Sequence, residues 1–157
     1  MSKVEDFLTQ EEEQAIVAAI GVAEKNTSGE IRVHIEKGSS HKGEDENQTS
    51  MAPVERAMEV FHQLQMDNTQ ERNGVIIYVA VKSKQFAIYG DKGINEKVPE
   101  NFWENTKELM KSYFIKQEFA NGIIQGIKLA GEQLNVFFPY NSATDKNELS
   151  NDISFGD

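Results

Sequence analysis

The chain contains no cysteine, so disulfides, thiolate zinc sites, iron–sulfur clusters and cysteine nucleophiles are excluded from its chemistry. No run of residues approaches the roughly 18 apolar positions that a membrane helix needs. The N-terminus, MSKVEDFLTQEEEQ, lacks the apolar core of a signal peptide. Basic residues are scarce: 16 Lys and Arg stand against 26 Asp and Glu, for a net charge of -10. A field of that sign repels phosphate backbones, so nucleic acid is not expected as a partner, whereas divalent cations are. These absences predict a cytoplasmic protein without a membrane span. Familiar catalytic signatures are also missing. There is no G-x-S-x-G, no P-loop, no G-x-G-x-x-G and no EF-hand spacing, and His34, His41 and His62 form no H-x₃-H pair.

What is present reads as one domain over residues 1–140, followed by a polar, flexible acidic tail at 141–157. Thr9 and Glu12 form a capping box ahead of Ile16, Ala19, Ile20 and Ala23 at helical spacing. EIRVHIE, residues 30–36, alternates as a half-buried strand at a sheet edge. Pro53 opens a second helix with Val54, Ala57, Met58, Phe61 and Leu64 as its inner stripe. Residues 75–81 are apolar on both faces, as a covered central strand requires. The short turn Lys82-Ser83-Lys84 returns the chain as an antiparallel hairpin. Two further helices follow, the second carrying Gly122 and Gly126 on one side, which predicts close packing on the sheet. The order gives an α/β fold: an α/β/α sandwich with a mixed central sheet.

That topology brings several polar residues to one rim. The end of the second hairpin strand, Gly90-Asp91, returns beside Glu71-Arg72-Asn73-Gly74. A parallel strand 30–36 places Glu30 at the same end. Two carboxylates, an amide oxygen and exposed carbonyls make a hard-oxygen set suited to Ca²⁺, then Mg²⁺. Asp91, Glu30, Asn73 and Glu71 are therefore the candidate metal ligands, with Arg72 and Trp103 as candidate phosphate or substrate contacts. A second reading stands beside this one: Asp91 is the N-cap of a short turn and nothing more.

At SGEIRVHIE, ERNGVIIYVAVKSKQFAIYGDKGINEKV and FWENTKELMKSYFIKQEFANGIIQGIKLAGEQL the chain resembles the TPM domain family, over about residues 5–139. The resemblance implies the α/β/α sandwich and a divalent-cation site in loops at one sheet edge, calcium in similar proteins. It maps Glu30 onto the acidic position of the G-E-I strand start, Asp91 onto that of the G-D-x-G turn, and Arg72 and Asn73 onto the R-N-G start. Relatives include a plant thylakoid acid phosphatase and accessory subunits of membrane receptors. Two functions follow. One is a non-catalytic binding or accessory module that holds divalent cations and meets a protein partner. The other is a metal-dependent acid phosphatase acting on phosphate esters, with the metal on Asp91 and Glu30 and the phosphate on Arg72.

Overall fold

The computed structural model of the chain describes residues 7–37, 52–140 and 151–156. Helix α1 (Gln10–Ala23) begins at Thr9, whose hydroxyl accepts from the Glu12 amide while the Glu12 carboxylate accepts from the Thr9 amide. Strand β1 (Glu30–Glu36) follows, then α2 (Pro53–Gln63), β2 (Gly74–Ala80), β3 (Gln85–Gly90) and a single turn of helix, α3 (Lys92–Asn95). Two longer helices, α4 (Glu104–Ile115) and α5 (Phe119–Phe137), precede a two-residue strand, β4 (Ser154–Phe155).

The strands lie in the order β3-β2-β1-β4. Strands β1 and β2 are parallel, and β2 and β3 form the antiparallel hairpin, so the sheet is mixed as the connections require. Alternation sorts the side chains. Ile31, Val33, Ile35, Val75, Ile77 and Val79 join the larger core with α1 and α5, while Ile76 and Tyr78 meet Ala57, Val60 and Phe61 of α2 on the opposite face. No helix among the described residues is long and apolar enough to cross a membrane.

Several expectations change. Strand β1 is not a free edge, because β4 pairs with it in parallel at His34–Ser154 and Ile35–Phe155. The expected flexible tail at 141–157 thus includes the residues of β4, while residues 141–150 lie outside the described ones. Two paired residues carry no period that a sequence pattern can reveal. Val54 and Met58 are exposed rather than inward, since α2 rests on the narrow ground of β2 and β3. Gly122 and Gly126 open space for α4, not for the sheet. A Cβ at Gly122 would stand 2.5 Å from the Phe114 ring, and one at Gly126 would stand 2.5 Å from the Met110 sulfur.

On the α2 side, β1 carries a buried polar network. Glu36 receives Arg56 through Nε at 2.8 Å and Nη2 at 2.9 Å, the Tyr78 hydroxyl at 2.5 Å, and lies 3.0 Å from His34 Nε2. Burial works to raise the Glu36 carboxyl, but the bonds from His34, Arg56 and Tyr78 and the Arg56 charge outweigh it and hold it down at about 2. A carboxyl depressed on folding adds stability above its unfolded value, and that stability is lost as pH falls from about 4.5 toward 2. We expect this one group to account for about 2 kcal/mol of acid destabilisation. Urea unfolding between pH 5 and pH 2.5 checks it: the wild-type curve should fall more steeply than that of Glu36→Gln, and parallel curves would refute the assignment.

Candidate functional site

The rim predicted from topology is assembled around Gly74. Glu30 lies opposite Gly74 in the β1–β2 register, and the Asp91 amide donates to the Gly74 carbonyl at 2.9 Å from the other side. Neighbouring strands are about 4.8 Å apart, so the Glu30 and Asp91 backbones stand roughly 10 Å from each other across Gly74. The Glu30 amide also donates to the Asn73 carbonyl at 3.2 Å. Both acids are buried, with Glu30 3% and Asp91 1% exposed.

Asp91 is the N-cap of α3 and the anchor of Arg72 together. Its Oδ1 accepts from the Lys92 amide at 2.7 Å and from Arg72 Nη2 at 3.1 Å, and its Oδ2 accepts from Arg72 Nε at 2.8 Å. This two-pronged geometry is the strong form of a guanidinium–carboxylate pair. Arg72 holds a left-handed backbone, φ 53°, uncommon outside glycine. Its carbonyl accepts from the Gly93 amide at 2.9 Å. The loops touch so closely there that a Cβ on Gly93 would lie 2.2 Å from the Glu71 carbonyl oxygen and 2.6 Å from that of Arg72. That contact is why the G-D-K-G turn ends in glycine.

Asn73 donates from Nδ2 to the Ser28 carbonyl at 3.2 Å, and its backbone amide donates to the Thr69 hydroxyl oxygen at 3.3 Å. Its Oδ1 is buried and, among the described residues, has no hydrogen-bond partner. An orphaned buried acceptor is costly unless something donates to it or coordinates it. Glu71 is exposed beside this turn. Trp103 is not brought to Arg72 by any described contact: it packs edge-on to Phe102, with ring centroids 4.7 Å apart, and lines the larger core. Trp103, expected as a phosphate or substrate contact, packs among aromatic residues here, because it immediately precedes α4 and lies on the α5 side of the sheet.

One residue of the rim was not anticipated. Glu24 caps the C-terminus of α1 and accepts from the Ile31 amide at 2.9 Å. Burial pushes its carboxyl up to about 8; the Ile31 amide opposes that rise and the neighbouring Glu30 charge adds to it. A helix C-terminus is electronegative, so the helix itself disfavours a carboxylate there. That mismatch was the available signal: an acidic residue at a helix end, six positions before another acid. Among the described residues, no three His, Asp or Glu side chains converge as an all-side-chain metal site would need. The oxygens here are two carboxyls, an amide and backbone carbonyls.

A model of the TPM domain matches residues 1–133. The chain belongs to the TPM domain family. Its fold is close to the solution structure of BA42 from the psychrophilic bacterium Bizionia argentinensis, with a TM-score of 0.85 and 51% identity over 99% of this chain and 100% of that one. Two more distant solution structures share the TPM fold. The N-terminal domain of a P. gingivalis protein has a TM-score of 0.66 at 12% identity, covering 86% of this chain and 82% of that one. The N-terminal domain of cg2496 from Corynebacterium glutamicum has a TM-score of 0.57 at 13% identity, covering 96% and 80%. No curated protein matches the chain.

Two outcomes check this account of the rim. Gly93→Ala has only rigid carbonyls to displace, so it should cost about 2 kcal/mol or more in chemical unfolding; a neutral result would show that the two loops do not meet as described. For Glu24 the sign is opposite to that of Glu36. A carboxyl raised on folding favours the native state below its unfolded value, and that advantage is lost as pH rises from about 4.5 to about 8. In the presence of EDTA, stability should decline over that window in wild type and flatten in Glu24→Gln; a decline of equal slope in both would contradict the burial of Glu24.

Proposed function

We propose that this TPM domain is a non-catalytic binding or accessory module that takes up a divalent cation, Ca²⁺ before Mg²⁺, at the rim where β1 and β2 begin. The supporting observations are the half-buried Glu24 carboxyl next to the Glu30 charge and, among the described residues, the unpartnered Oδ1 of Asn73, whose backbone carbonyl accepts from the Glu30 amide. A carboxyl that retains its proton to about pH 8 next to a second acid is a site where a cation can take the proton's place. Calcium tolerates an irregular set of carboxylate, amide and carbonyl oxygens, whereas magnesium demands a near-octahedral one. In this reading Glu30 and Asn73 hold the cation, and Asp91 and Glu71 contribute chiefly negative field. Three N–H donors already engage the Asp91 oxygens, so direct ligation by Asp91 requires Arg72 to swing away. A cytoplasmic setting and a protein partner belong to the same proposal.

The phosphatase alternative asks Arg72 to bind phosphate. In the structure that guanidinium is committed to Asp91, and an incoming phosphate meets the field of a chain of net charge -10. No described geometry favours it over the binding role.

Titration calorimetry and thermal melts with CaCl₂ test the proposal in wild type, Glu30→Gln and Asp91→Asn. Ligand at a hundredfold excess over Kd adds about 2.7 kcal/mol to native stability, so calcium should raise the melting temperature and EDTA should reverse the rise. Glu30→Gln should weaken binding about tenfold or more, with Asp91→Asn affected less. Absence of both heat and melting shift at millimolar calcium would overturn the cation role. Turnover of a phosphate ester that depends on added calcium or magnesium would favour the enzymatic alternative.

A further inference from the structure

We propose that the outer edge of β1 is a reading groove for an extended peptide carrying a hydroxyl residue, an aromatic residue and a glycine in that order, and that residues 153–156 occupy it as a built-in competitor. Strand β4 supplies only two paired residues, and residues 141–150 separate it from the helical domain. Yet each position of the segment is read by a specific feature of the fold. The Ser154 hydroxyl is 2.8 Å from His34 Nδ1, and the other ring nitrogen lies 3.0 Å from Glu36 Oε1. Phe155 and Ile153 turn to the opposite face and pack against the larger core beside Val17 and Ala18 of α1. Gly156 donates its amide to the Ile35 carbonyl at 2.9 Å, continuing the parallel ladder.

The glycine requirement is steric. A Cβ at position 156 would stand 2.8 Å from Glu36 Oε1 and 3.0 Å from His34 Nε2. A free glutamate would move aside, but this one is pinned by Arg56, Tyr78 and His34. The buried network of β1 thus acts as a template that selects glycine. Two positions upstream of Ser154, Arg32 Nε reaches the Asp152 carbonyl at 3.4 Å, and the Asp152 charge acts on the same guanidinium.

The order Ser154–His34–Glu36 is also that of a nucleophile relay. Here Arg56 neutralises Glu36 and the Gly156 amide is spent on Ile35, which leaves neither the free acid nor that donor for an oxyanion. The arrangement holds the serine rather than activating it. Strand addition at a sheet edge is a general mode of peptide recognition, in which ladder bonds give affinity and side-chain contacts give specificity. The partner that fits is a protein presenting an extended Ser/Thr–aromatic–Gly segment, running parallel to β1. The resident tail competes at an effective concentration on the order of millimolar, so the groove opens only to a better segment or after the tail is released.

The test uses a fluorescent peptide of residues 151–156 titrated into the full chain, wild type and Gly156→Val, with fluorescence anisotropy as readout. Gly156→Val should release the tail and bind the peptide saturably, at least tenfold more tightly than wild type does. The same peptide carrying Ser154→Ala should bind roughly tenfold more weakly, and one carrying Gly156→Val should not bind. Should the Gly156→Val protein fail to fold, full-chain Phe155→Ala, which removes the aromatic anchor without adding bulk, takes its place with the same expectation. No binding in trans to the folded variant would reduce β4 to a strap that finishes the sheet. Equal binding to wild type and variant would place the peptide elsewhere. Either result overturns the proposal.

Discussion

The pair Arg72–Asp91 fixes the rim on which the rest of the structure depends. Asp91 ends β3, caps α3 and bonds across to Gly74, so its position sets the register of the hairpin against the start of β2. Arg72 answers it with both prongs of its guanidinium while its backbone takes the left-handed turn that aims its carbonyl at the Gly93 amide. Neither half is stable alone. A buried carboxylate needs a counter-charge, and a left-handed arginine costs on the order of 1–2 kcal/mol unless its surroundings compensate. Closing the two loops together satisfies both, and leaves no space at position 93 for any side chain.

The same pair divides the acidic rim into two electrostatic halves. On the β3 side the chain supplies its own cation. On the β1 side, Glu24 is held by an amide and keeps a proton to about pH 8 beside Glu30. The contrast with the far end of β1 is instructive. There Glu36 is surrounded by donors and by Arg56, and its carboxyl sits at about 2. One short strand thus runs from beside Glu24, whose carboxyl resists ionisation, to Glu36, a carboxylate that is ionised at every physiological pH. The second is a fixed anchor for α2 and for the C-terminal segment.

Much of this was legible in the sequence where the determinants are local. The Thr9–Glu12 capping box, the alternation of residues 30–36, the doubly apolar β2 and the short hairpin turn each follow from neighbouring residues, and together they force the mixed sheet. Glu30, Asp91 and Asn73 come to one rim because the topology does, not because of any motif. What was missed depends on partners distant in sequence. Asp91 is the cap that its turn suggested, but its pairing with Arg72 across the loops is not local. Arg72 looked like a phosphate ligand because its partner lies 19 residues away. Glu24 carried no motif, only the wrong charge for a helix end. Strand β4 is too short to have a period, and its glycine is explained by Glu36, far across the chain.

The central claim is that a cation enters on the β1 side of Gly74 while the Arg72–Asp91 pair stays closed. A calcium titration followed by ¹⁵N-resolved NMR, observing backbone amides and the Arg72 Nε–H group together, addresses it most directly. The account predicts that the Ile31 amide, which now donates to Glu24, shifts with Glu30, Asn73 and Gly74, while the Arg72 Nε–H and Lys92 amide signals hold their positions. Loss or displacement of the Arg72 Nε–H signal, or shifts confined to residues away from Glu30, would contradict it.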